Sequence, residues 1–317
     1  MADDVGSSGE FGNYRLLAEL GSADTDRLVR AHDPGHGRDV ALRVLAPRAG
    51  RRERFLREMP VVVRLSEPHL VPVHRYGDVD GRLFVAAELV AGEHLAAVLA
   101  RTGPLDPARA VDLVGQIARA LDAVHAAGLV HRDVGASSVL LVARPAGADP
   151  AGPAAGKEDT ARLADLGVAP VVGRPPDHPA PELAAGTPVD GRADVYSLAG
   201  LLFELLTGER PGSGAPAPSS LRPGLPPELD GVVRRGLAGD RDQRWTSAGG
   251  MAAAARASLA LTGVQVARPP DDPAARGVAG AGRRGPRPGA LAGGVSAVLA
   301  ALGLAALRRR RARGAGQ

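Results

Sequence analysis

Val130-His131-Arg132-Asp133-Val134-Gly135-Ala136-Ser137-Ser138-Val139-Leu140-Leu141 is the stretch around which this chain is organised. Ahead of it, Leu121 and Val124 continue a helical spacing that ends at Ala126-Ala127-Gly128. Behind it, Val139-Leu140-Leu141-Val142 is a short apolar run of the kind that forms a buried strand. The residues between read as a short loop joining a helix to that strand, with an imidazole, a guanidinium and a carboxylate on successive positions.

Outward from the loop, the chain is strand-rich before it and helical after it. Residues 13–20, 27–32, 39–45, 71–76 and 82–89 have strand character, and a helix spans roughly 51–65. Pro60 falls inside that helix, where it removes a donor and clashes with the preceding turn at about 3 kcal/mol, so a kink is expected beside Glu58. Residues 93–100 and 107–127 are helical, 145–159 is an Ala/Gly/Pro-rich surface insertion, and 211–224 is rich in Gly, Pro and Ser. The class is α+β.

Taken in order, these residues resemble the protein-kinase family. His131-Arg132-Asp133 with Ser138 is similar to the catalytic loop H-R-D-x-x-x-x-N, and Val40-Ala41-Leu42-Arg43 is similar to V-A-I-K. Asp165-Leu166-Gly167 resembles D-F-G, and Ala180-Pro181-Glu182 matches A-P-E. Asp194-Val195-Tyr196-Ser197-Leu198 resembles the family's D-V-Y-S-L-G, and Asp242-Gln243-Arg244-Trp245 precedes the last domain helix. The resemblance covers residues 13–262 and points to bacterial serine/threonine kinases. It implies a two-lobed fold: a small β-rich lobe over 12–90, a larger helical lobe over 91–262, and a disordered lead over 1–11.

By the same resemblance, Asp133 takes the base position and Arg132 accompanies it, while Asp165 and Ser138 stand at the metal positions. Leu20, Gly21, Leu28, Ala41, Arg43, Glu58, Glu88, Val90 and Leu140 surround the nucleotide, with small Ala87 at the gatekeeper position. Apolar residues at such positions fill a core equally well. Asp194 is expected to brace the catalytic loop, and Arg244 to pair with Glu182.

The departures cluster on phosphate and metal. Of the three glycines of G-x-G-x-x-G only Gly21 stands, with Ala23 and Asp26 at the other two, and Asp24 and Asp26 add negative charge; a plain hairpin is the reading expected here. Arg43 replaces the lysine, a longer planar fork in place of a compact point charge. The expectation is that Arg43 and Glu58 form a structural ion pair. Ser138 replaces the magnesium-binding Asn, and Gly135 replaces the lysine two residues after Asp133. Residues 168–179 contain no Ser, Thr or Tyr, so the segment lacks a phosphoacceptor to pair with Arg132. The Gly/Pro/Ser-rich stretch 211–224 stands where kinases carry an extra docking helix.

Composition narrows the class further. Cysteine is absent, which excludes disulfides and thiolate metal sites, and the acidic N-terminus has no apolar run to suggest a secretory signal. The net charge is +4; from residue 263 onward ten Arg face two Asp, a net +8, which leaves residues 1–262 at −4. A nucleic-acid-binding body is therefore disfavoured. Residues 263–288 form a Pro/Gly/Arg linker, and 289–307 are nineteen residues without a charge, about 28 Å long as a helix. They are expected to be a transmembrane helix ahead of a basic tail, 308–317, with Gly289 and Gly293 as a weak homodimer signal. The flanking arginines balance, so a cytoplasmic domain follows from the resemblance alone.

The function expected is a membrane-tethered pseudokinase that binds or scaffolds an unidentified protein partner, with weak or no binding of ATP and magnesium. The alternative is an active serine/threonine kinase with an atypical nucleotide site.

Overall fold

The computed structural model describes residues 9–23, 26–46, 51–143, 159–168, 175–212 and 214–261. The chain divides into a unit of residues 1–267 and a second of 268–317. Expectations for the lead 1–8, the turn 24–25, most of the 145–159 insertion, segment 169–174 and everything from 262 onward lie outside the described residues.

An antiparallel sheet forms the first part. Its strands are β1 (Glu10–Phe11), β2 (Tyr14–Ala23), β3 (Asp26–Asp33), β4 (Arg38–Leu45), β5 (Val73–Val79) and β6 (Arg82–Glu88), in the order β1-β2-β3-β4-β6-β5. Side chains alternate across a strand, so Val40, Leu42 and Val44 of β4 bury one face with Val29, Ala31, Phe84 and Ala86. Ala41 and Arg43 consequently face the other way. β2 and β3 pair as far as Ala23↔Asp26, with Gly21 opposite Leu28, so the ladder takes in residues read as lying between the two strands, in the manner of the plain hairpin expected there. Residues with a Cβ adopt extended backbone readily, and ladder pairing replaces the turn that two further glycines would have allowed.

Helix α1 (Arg52–Val62) packs Phe55, Met59 and Val62 inward and continues through Pro60, ending two residues later. Pro60 therefore lies in the last turn rather than breaking the helix. The chain proceeds through β7 (Glu93–His94), α2 (Leu95–Thr102) and α3 (Pro107–Ala126) to β8 (Val139–Val142) and β9 (Thr160–Leu163), which form a second small sheet with β7. α3 starts cleanly because Asp106 accepts from the amides of Ala108 and Arg109 and Pro107 sits at the first position. Then come α4 (Pro181–Ala184), α5 (Arg192–Thr207), α6 (Pro218–Leu221), α7 (Pro227–Gly236) and α8 (Ala248–Leu261). Within residues 211–224, α6 is a helix of only four residues. One core joins α1 and the inner sheet face to α3, α5, α7 and α8.

Arg244 is 1% exposed and meets Glu182 as a two-pronged fork, Nη1 to Oε1 at 2.7 Å and Nη2 to Oε2 at 2.8 Å. Its remaining donors reach the carbonyls of Ala238, Arg192 and Gly239. Burial pushes the Glu182 carboxyl up, but the Arg244 hydrogen bond, a backbone hydrogen bond and the Arg244 charge together hold the group below its usual value. Removing one partner of such a pair leaves the other charge buried and unpaired, so Arg244→Met is expected to destabilise by about 3–5 kcal/mol in urea titration at pH 7. A depressed carboxyl stabilises the fold above its unfolded value and loses that contribution as pH falls through the folded one. The gap between wild type and Arg244→Met is therefore expected to narrow below about pH 4.

Candidate functional site

The inner face of the sheet and the turn of chain after β6 enclose a cavity of about 280 Å³. Leu20, Leu28, Ala41, Glu88, Val90 and Leu140 line it, together with Arg43 and Asp165. Strand alternation puts Ala41 and Arg43 there, and the β3–β4 register sets Leu28 opposite Arg43. Gly21 and Glu58 are not in this lining, whereas His94 and Ala87 are. The Glu88 carboxylate is held by Arg162 at 2.6 Å.

Arg43 and Glu58 do not pair with each other, which corrects the expectation from sequence. Arg43 donates through Nη1 to Asp26 at 2.5 Å and through Nη2 to Asp165 at 3.0 Å. Its long planar fork bridges the start of β3 and the Asp-Leu-Gly motif at once, a reach that a compact ammonium does not have. Glu58 instead accepts from Arg54, one helical turn away, at 2.9 Å and from Arg132 at 3.3 and 3.4 Å. Burial lowers the Arg132 guanidinium from its ordinary value and Glu58 opposes this. The helix carboxylate thus supplies the anion for an arginine to which residues 168–179 offer no phosphoacceptor.

The catalytic loop is held from beneath. Asp194 accepts from the amides of His131 at 2.8 Å and Arg132 at 2.7 Å, and from His125 Nε2 at 2.8 Å. Arg132 has φ +71° and Asp165 φ +65°, left-handed conformations that cost of order 1–3 kcal/mol for such residues and persist only where surroundings enforce them. His131 Nε2 donates to the Ala164 carbonyl and its Nδ1 accepts from the Asp133 amide, tying the loop to the Asp165 motif. Asp133 is 4% exposed within that frame.

Ser138 does not face a ligand. It is fully buried, its hydroxyl donating to the Gly135 carbonyl and accepting from the Gly135 amide. The family implies magnesium beside ATP; here the Asp165 carboxylate is paired with Arg43 and the Ser138 hydroxyl is turned into its own loop. Asp177 was not legible in the sequence as part of this site. Its carboxylate docks on the loop, accepting from Ser137 Oγ at 2.7 Å, the Ser137 amide at 3.2 Å and Arg210 at 3.0 Å. Burial pushes its carboxyl up, but the Ser137 hydrogen bonds and Arg210 hold it below the usual range. A Cβ added at Gly135 would lie 2.4–2.8 Å from Asp177 side-chain atoms, so the place where kinases carry a lysine holds a carboxylate. The one signal for this was Gly135 itself.

Gly135→Ala is accordingly expected to destabilise by about 1–3 kcal/mol, the range for overpacking. In an Asp177→Gly background, which also removes the Cβ that would lie 2.5 Å away, the same substitution is expected to be nearly neutral, a coupling that chemical denaturation of the four proteins measures.

Residues 14–222 match the family model for the protein kinase domain. The serine/threonine-protein kinase PknD of Mycobacterium tuberculosis is 37% identical over 338 residues, covering 92% of this chain and 49% of that protein. PknE of the same species is 37% identical over 279 residues, covering 79% and 47%. The chain thus spans about half the length of the curated relatives it matches. The crystal structure of a mutant PknI kinase domain from M. tuberculosis superposes with a TM-score of 0.70 at 33% identity, covering 81% of this chain and 99% of that one. With its catalytic loop and its Asp194 and Arg244 braces in place, the chain belongs to the protein kinase family, among the bacterial serine/threonine kinases of eukaryotic type.

Proposed function

We propose that this kinase domain is impaired in phosphotransfer and acts as a binding module. The Asp26–Arg43–Asp165 bridge carries the reading, because it engages the metal carboxylate and the phosphate-facing cation with each other. Ser138 buried in its own loop and Asp177 beside Gly135 point the same way. If each change removes about 2–3 kcal/mol of transition-state stabilisation, each is on the order of 30- to 150-fold in rate. Such terms are not additive, yet two of them leave little turnover.

A second reading, an active serine/threonine kinase, is favoured by the retained Asp133 and Asp165 and by the loop that Asp194 holds in place. On the first reading the domain works by recruiting a protein partner, with residues 289–307 as its membrane anchor. Among the described residues no helix is long and apolar enough to cross a membrane, so the anchor rests on the tail sequence alone.

Radiolabelled ATP is expected to give no more signal on the protein or a generic substrate than an Asp133→Asn control gives. Labelling well above that control, lost in Asp165→Asn, makes the chain an active kinase instead. Membrane fractionation is expected to retain the full chain and release one lacking residues 289–317; a full chain found only in the soluble fraction removes the anchor.

A further inference from the structure

We propose that the slot takes an uncharged, nucleoside-like heteroaromatic ligand in preference to a nucleoside triphosphate. The inference rests on reading the cavity as the kinase nucleotide slot and takes the impaired-transfer proposal one step further, to the class of ligand.

Size is the first argument. At about 280 Å³ the cavity lies just below the roughly 300–1,000 Å³ range of small-molecule pockets. Its walls are short apolar side chains, Leu20, Leu28, Ala41, Val73, Val85 and Leu140, which suit a flat bicyclic ring more than an extended polyanion. Leu89 and Val90 follow the last residue of β6 and lie beyond its ladder, which brings peptide groups to the cavity edge. The Glu88 side chain is turned to Arg162 and leaves that edge to the backbone.

Charge is the second argument and the stronger. Arg43 is the one cation lining the cavity among the described residues, and two carboxylates already share it. Asp26 is buried at the start of β3, where the chain departs from the glycine turn. The cluster of Asp26, Arg43 and Asp165 sums to one negative charge, so a triphosphate entering here meets repulsion and must first break both ion pairs. A like charge about 5 Å away at an effective dielectric near 20 weakens binding by on the order of a hundred-fold. A metal does not relieve this, since Ser138 offers it no ligand and Asp165 is engaged. A neutral ligand is spared both penalties and buries the same ring.

The test is calorimetric titration of the full chain with adenosine and with ATP, each with and without magnesium. Adenosine is expected to bind at least about tenfold more tightly than ATP, and magnesium to change ATP affinity less than about twofold. Asp26→Asn is expected to move the ratio of ATP to adenosine affinity toward ATP by on the order of tenfold. Filling the slot with Ala41→Phe, or with Leu140→Trp should the first variant not fold, is expected to abolish adenosine binding. ATP with magnesium binding more tightly than adenosine overturns the inference. So does an absence of adenosine binding, or adenosine binding that survives a folded slot-filling variant. Phosphotransfer judges the impaired-transfer reading separately: labelled product above the Asp133→Asn control defeats that reading whatever adenosine does.

Discussion

The Asp194 carboxylate is the constraint on which the rest of the site depends. It is fully buried, and an ionised group there is tolerated only with its hydrogen bonds made. Three donors meet it: two consecutive backbone amides of the catalytic loop and the His125 ring. Charge-assisted bonds of this kind are about twice as strong as neutral ones, enough to hold Arg132 at a positive φ that it would not otherwise keep. With the backbone turned that way, the Arg132 side chain meets Glu58 of α1. The same brace therefore couples the helical core to the helix that flanks the sheet, and His131 carries the coupling on to the Asp165 motif.

Around this frame the charges are arranged for mutual neutralisation. Among the described residues, the charged groups around the site engage one another. Arg43 holds Asp26 and Asp165, Glu58 holds Arg54 and Arg132, and Asp177 is held by Ser137 and Arg210. Ion pairs that are partly screened from water are stronger than exposed ones, because the local dielectric is lower. The Arg43 and Asp165 side chains are each 19% exposed, so their pairing is not a loose surface contact. Asp194 and the Arg244–Glu182 pair sit under the loops and keep their roles while the groups above them change partners.

Much of this was legible before any coordinates. The α3 helix, the catalytic loop and β8 follow from spacing and local chemistry, and so do the motif positions that mark the family. Those features depend on neighbours within a few residues, whose relation the chain itself dictates. Leu20, Leu28, Ala41 and Leu140 lining one cavity also follow from motif order. The sequence likewise showed which cations and ligands had been replaced, and that residues 168–179 carry no hydroxyl.

What only the tertiary structure decided is the partner of each charge. Arg43 was expected to meet Glu58, fifteen positions on; it meets Asp26 and Asp165, which lie 17 and 122 positions away. Asp177 reaches Ser137 across 40 positions, and Arg132 reaches Glu58 across 74. A carboxylate and a guanidinium attract at any sequence separation, so composition and spacing leave many pairings open. The choice falls to sheet register, the direction of α1 and the space left at Gly135, all set by packing of the whole core.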